Sequence, residues 1–131
     1  MGGIALLQPG AYVASDMMAV IVAMLKSDTF IADTGMIQTF FWRMRRIMPI
    51  LQGVMNFSTT GPFPFSRDLE DALNILYGSR IIVMTADFKK YVIRETGRAV
   101  VEDHIRALFT DEELKQLGEI AGAFAQEQPL L

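Results

Sequence analysis

Apolar residues along the first half of the chain recur at helical spacing, give way to two strand-like runs, and then return to helical spacing. The stretch 17-MMAVIVAML-25 is apolar on nearly every side between Asp16 and Lys26, which predicts a covered central helix. Ser15 is its expected N-cap, Asp16 suits its first turn, and it should end near Lys26. The polar stretch 27-SDT-29 interrupts, and Asp33 or Thr34 caps a second helix that runs to about Met48, just before Pro49. Within 36-MIQTFFWRMRRIM-48 the positions Ile37, Phe40, Phe41, Met44, Ile47 and Met48 form an apolar stripe, and Arg43, Arg45 and Arg46 fall mostly outside it.

Residues 49–65 are the least regular, with a short helical turn or strand expected around 50-ILQGVMNF-57. The two prolines of 61-GPFPFS-66 exclude a regular helix or a central strand there. Ser66 caps a third helix, 67-RDLEDALNILY-77, with Leu69, Ala72, Leu73 and Leu76 inward and Gly78 placed to end it. The runs 80-RIIVMT-85 and 89-KKYVIR-94 flank a turn at 86-ADF-88 and predict a hairpin. Gly97 is expected to break its second strand before a helix over 98-RAVVEDHIRALF-109, and Thr110 with Glu113 forms a capping box opening a last helix to about Ala125.

The resulting class is mainly α with one β-hairpin. Periodicity alone also admits a four-helix bundle with a β excursion. The segment 91-YVIRETGR-98 resembles the tail of the wing in many bacterial and archaeal winged-helix proteins. The segment 61-GPFPFSRDLEDALNIL-76 is similar to the Gly-Pro-aromatic-Ser stretch and helix of a subgroup that includes the Panacea-type antitoxin domains, with 36-MIQTFFW-42 a loose echo of their second helix. The resemblance implies a winged helix-turn-helix with a C-terminal helical extension. Residues 1–14 are then an apolar arm, 15–97 the winged-helix domain, and 98–131 helices that pack on it or on a second subunit.

Composition narrows the functional classes. A length of 131 residues suits one domain, and an apolar fraction of 51% with a charged fraction of 21% suits a packed core. With no cysteine there is neither a disulfide framework nor a thiolate metal site, which fits a reducing, cytoplasmic setting. The longest apolar run, nine residues, falls short of the roughly 20 that a membrane span needs. No Lys or Arg precedes the first apolar run, so no secretory signal is read. The lone histidine, His104, has Glu102 and Asp103 beside it in sequence, yet neighbours on a helix diverge by ~100°. No phosphate loop or dinucleotide motif occurs. The expectation is no catalytic site, no metal and no cofactor.

Charge then divides the remaining readings. Net charge is −3. The helix in the recognition position carries Arg67, Asp68, Glu70, Asp71 and Asn74, and three carboxylates would be repelled by duplex phosphates. Arg43, Arg45, Arg46, Arg67, Lys89 and Lys90 are the candidates for contact with phosphates or an acidic partner; an ordinary solvated surface is the other reading. Phe40, Phe41, Trp42, Asp68, Glu70, Asp71, Gly118 and Gly122 are the candidates for a protein interface, because three consecutive aromatics cover too much of one helix for a single small core. Gly118 and Gly122 would each cost about 1 kcal/mol in an exposed helix unless packing needs them. The expected function is a regulatory or accessory module acting through protein contacts, as a homodimer or a subunit of a larger complex. The alternative is a DNA-binding transcription regulator using the wing and the basic side of the second helix.

Overall fold

The computed structural model describes residues 12–128. Residues 1–11 of the expected N-terminal arm, and the last three residues of the chain, lie outside the described residues. The chain is mainly helical. Its elements are α1 (Ala14–Met24), β1 (Thr29–Ile31), α2 (Thr34–Arg45), α3 (Pro49–Gln52), α4 (Arg67–Gly78), β2 (Ile82–Met84), β3 (Lys90–Ile93), α5 (Glu95–Val100) and α6 (Asp111–Glu127).

Helix α1 is the axis of the molecule. Met17, Met18, Ala19, Val20, Ile21 and Val22 are each 0–1% exposed, so every side of the helix is covered. It packs chiefly against α4 and α6. It begins one residue before the expected cap: Val13 occupies the N-cap, and the Asp16 carboxylate accepts the Val13 N–H at 3.1 Å. At its other end Arg98 donates to the carbonyls of Ala23 (2.6 Å), Leu25 (2.9 Å) and Ser27 (2.9 Å), supplying the cation that a helix C-terminus attracts.

The hairpin belongs to a three-stranded antiparallel sheet of order β1-β3-β2, a correction to the two-stranded expectation. Phe30 pairs with Tyr91 in one ladder, and Met84 pairs with the same Tyr91 in the other. Strand β1 is three residues long, too short to show an alternation in sequence, and exists because β3 offers it a partner. Phe30, Ile82 and Ile93 turn into the core, while Thr29, Ile31, Lys90, Val92 and Val83 form the half-covered outer face.

Other boundaries shift for local reasons. Asp33 caps α2 by accepting the Met36 N–H, Ser66 caps α4 through the Leu69 N–H, and Thr110 with Glu113 forms the capping box of α6. Helix α2 stops at Arg45 rather than near Met48, because Pro49 opens the separate short helix α3 at a position that needs no N–H. Gly97 does not break a strand: it lies inside α5, against β2's entry. A Cβ there would sit 2.7 Å from both Cα and O of Ile81, so only glycine lets α5 rest on that backbone. The helix expected over 98–109 is in fact α5 followed by a π-helical turn at Val101–Ile105 and a 3₁₀ turn at Arg106–Leu108.

Two buried features tie the layers together. Phe124 of α6 packs on Phe40, Phe41 and Phe30 with ring centroids 5.0, 5.8 and 5.7 Å away. Gln38 of α2 spans to α4's cap: its Nε2 donates to the Ser66 carbonyl at 3.1 Å and its Oε1 accepts the Ser66 N–H at 2.8 Å. Both residues are at most 1% exposed, so this pair satisfies backbone groups that water cannot reach.

Candidate functional site

The basic residues of the expected patch are distributed over separate surroundings. Arg43 pairs with Glu127 of α6 at 2.7 Å. Arg45 donates its Nε to the Met55 carbonyl at 2.6 Å, and the Gln52 side chain donates back to the Arg45 carbonyl at 3.0 Å, so Arg45 fastens α3 to α2. The Arg46 guanidinium lies 5.5 Å from the centre of the half-buried Trp42 ring. Arg67 is exposed at the start of α4, and Lys89 is exposed beside the hairpin tip. Lys90 lies on the sheet's outer face, opposite Ile31.

The structure corrects two of the three aromatics expected at an interface. Phe40 and Phe41 are 2% and 0% exposed and belong to the core, since Phe124 covers both although they diverge around α2. Trp42 alone of the three reaches solvent. The hairpin tip is held firmly: Asp87 accepts from the Thr85 hydroxyl at 2.6 Å and from the Lys89 N–H at 3.1 Å, and these bonds hold its carboxyl below the usual range. Phe88, next to it, has φ 61° and is 70% exposed.

Two concavities open at opposite ends of α1. The first lies beside α4, holds about 390 Å³, and is lined by Tyr12, Val13, Ala14 and Ser15 from the head of α1, by Gly53, Val54 and Asn56, and by Asp68, Asp71, Ala72 and Ile75 of α4. Among the described residues its charged lining is the two aspartates. Asp68 accepts the Asn56 N–H at 3.0 Å, which pins the segment after α3 to α4. Asp71 is exposed, as are Val13 (61%) and Ile75 (54%), while Glu70 is half-buried toward the sheet side. At the rim, the Tyr12 hydroxyl donates to Glu113 at 2.8 Å, and burial together with that carboxylate pushes its phenol up to about 12. Burial would raise the Glu113 carboxyl, but hydrogen bonds from Thr110 and Tyr12 outweigh it and hold the group below its ordinary value.

The second concavity is a groove of about 750 Å³ between β1 and α6. Met24, Leu25, Phe30, Ile31, Ala121 and Ala125 supply its apolar lining, and among the described residues Lys26 and Lys90 are the charged ones. Gly118 and Gly122 form part of its floor. A Cβ on Gly118 would make an ordinary 3.9 Å contact with Met24 Sδ, and one on Gly122 would meet nothing within 4 Å. Neither glycine is therefore required by close packing among the described residues.

Sequence reasoning located the acids of α4 and the glycines of α6 but missed Val13, Ile75, Lys26 and Ile31 as their companions. Ile75 stood out in one respect: it is the apolar residue of 67-RDLEDALNILY-77 that falls outside the inward stripe, which is a usable signal. Lys26 carried none, because it read as the end of a helix. Among the described residues no three His, Cys, Asp or Glu side chains converge as a metal site, and no helix is long and apolar enough to cross a membrane. His104 is exposed, and Glu102 beside it pairs with Arg106 at 3.3 Å. No family model matches the chain, and no curated protein or solved structure matches it.

Proposed function

We propose that the chain is a non-enzymatic winged-helix module that acts by protein contact, and that the hollow beside α4 receives a basic, partly apolar segment of another protein. The fold part of this reading is supported by the element order: a helix, a short strand, two main helices, then a hairpin whose second strand also pairs with the first strand. The single observation that carries the functional part is the lining of the hollow. Apolar Val13, Val54 and Ile75 surround Asp68 and Asp71, with no cation among the described lining residues. Such a surface offers an apolar anchor point flanked by carboxylates, which suits an Arg- or Lys-bearing helix with one leucine-rich face.

The same face is unsuited to a duplex. Asp71 and Ile75 point outward where phosphate or base-edge donors would be needed, and Arg43 and Arg45 are committed within the chain. The test uses a synthetic amphipathic helix with leucines on one face and arginines on its flanks, titrated into the full chain by NMR. Shifts clustered at Val13, Asp71 and Ile75 and abolished by Asp71→Lys are expected. If the peptide produces no such shifts, and a mixed-sequence duplex at low salt instead shifts Lys89 and Arg67 in fluorescence-matched titrations, the DNA-regulator reading replaces this one.

A further inference from the structure

We propose that the groove between β1 and α6 is a binding site for a small amphiphilic carboxylate, an alkyl or aryl acid whose apolar body rests on Ile31, Ala121 and Ala125 and whose charge meets Lys26 and Lys90. This inference stands apart from the reading of the α4 hollow. Its first support is charge. In a chain of net charge −3, the groove's charged lining among the described residues consists of two lysines, with no Asp or Glu. Among the described residues neither lysine takes part in an ion pair, and the nearby Asp28 has its carboxylate 3.7 Å from Arg98 instead. An apolar trough with two unpartnered ammonium groups at its rim matches a ligand with one apolar body and one anionic end.

The second support is space. The volume of about 750 Å³ falls within the range of roughly 300–1,000 Å³ usual for small-molecule sites. The open floor at Gly122 serves no contact among the described residues, although a glycine there disfavours the helix. An empty position in an otherwise well-packed α6 leaves room for something else.

Two competing occupants fit less well. Added strands are obstructed, because the backbone N–H groups of β1 that face away from β3 already have partners. Ala32 N–H and Asp28 C=O bond β3, so by alternation Phe30 also faces β3 while Thr29 and Ile31 face the groove side. The Ile31 N–H donates to Gln128 Oε1 at 2.8 Å and the Thr29 N–H to Ser27 Oγ at 3.2 Å, so an incoming strand finds no donor there. A second copy docked groove to groove about a two-fold axis would set Lys26 and Lys90 of both chains against one another.

The test is a titration of the full chain with sodium octanoate, followed by amide NMR shifts and by calorimetry, with octan-1-ol as the uncharged control. Saturable shifts at Ile31, Gly118, Gly122 and Ala125 are expected, with octanol binding about tenfold more weakly, the order two exposed charge pairs supply. The double variant Lys26→Gln with Lys90→Gln should bring octanoate down to the level of octanol. Gly122→Leu, whose side chain enters open space, should keep the native circular dichroism and abolish both shifts and heat. Octanol binding as well as octanoate, shifts that map elsewhere, or the absence of saturation overturns the proposal. So does a concentration-dependent mass in sedimentation equilibrium that Gly122→Leu abolishes, which would make the groove a contact between copies.

Discussion

The hollow beside α4 and the groove beside α6 are built on the two ends of one helix, and they carry opposite charge. Val13, Ala14 and Ser15 at the head of α1 line the first, where Asp68 and Asp71 supply its charge. Met24 at the tail of α1 and the residues just after it line the second, with Lys26 and Lys90. The helix dipole accounts for the direction of this segregation. Its positive end sits by the aspartates, and its negative end is capped by Arg98 and flanked by Lys26. A helix buried on every side has no free face of its own, so only its ends shape the surface, and they favour charges of opposite sign.

Disturbing the frame at the groove end should have the largest effect. Gly97→Ala forces a Cβ to within 2.7 Å of the Ile81 backbone, where no side chain can yield. Helix α5 must then lift from β2 and carry Arg98 away from the α1 carbonyls. Urea denaturation should show a loss of about 3 kcal/mol, and Gly97→Ser should be no better. At the hollow end the weak point is the Gln38 bridge. Gln38→Leu fits the buried shape but leaves the Ser66 N–H without a partner and its carbonyl with the Glu70 N–H alone, at a cost of about 2 kcal/mol. A loss under ~0.5 kcal/mol would mean that α4, and the hollow with it, repositions freely.

Tyr12 reports on the rim of the hollow through its own ionisation. Its phenol is raised to about 12 from an ordinary value of 10.0, so the folded state favours the neutral form. That contribution to stability is complete below pH 10 and is lost as the pH climbs from 10 to 12. Absorbance of the three tyrosines during an alkaline titration should show one ionising last, close to 12, and Glu113→Gln should bring that phenol down toward the others. Unchanged behaviour in Glu113→Gln would place the whole shift in burial.

What the sequence made legible was whatever a single element decides. The caps at Asp33, Ser66 and Thr110, the inward stripe of α4 and the covered character of α1 each follow from residues a few positions apart. What it concealed depends on a distant partner. Thr29–Ile31 becomes a strand only against Lys90–Ile93, Phe40 and Phe41 are both buried only because Phe124 arrives from α6, and Gly97 matters only because Ile81 passes beneath it. The arginines behave the same way. Arg43, Arg45 and Arg46 look equivalent along α2, yet Glu127, the Met55 carbonyl and the Trp42 ring give them three different tasks.

The smallest expected change is the one that separates the two concavities from the fold that holds them. Asp71 and Lys26 are both exposed and neither is in an ion pair among the described residues. Asp71→Asn and Lys26→Gln should therefore each alter stability by no more than about 0.5 kcal/mol. Recognition should respond in opposite senses. Asp71→Asn weakens the arginine-flanked helix and leaves octanoate untouched, whereas Lys26→Gln does the reverse, and raising the salt should compress both differences because the charges are solvated. Parallel responses of the two probes to either variant would show that the hollow and the groove act as one surface, and that the opposition set by the ends of α1 governs only where charge sits.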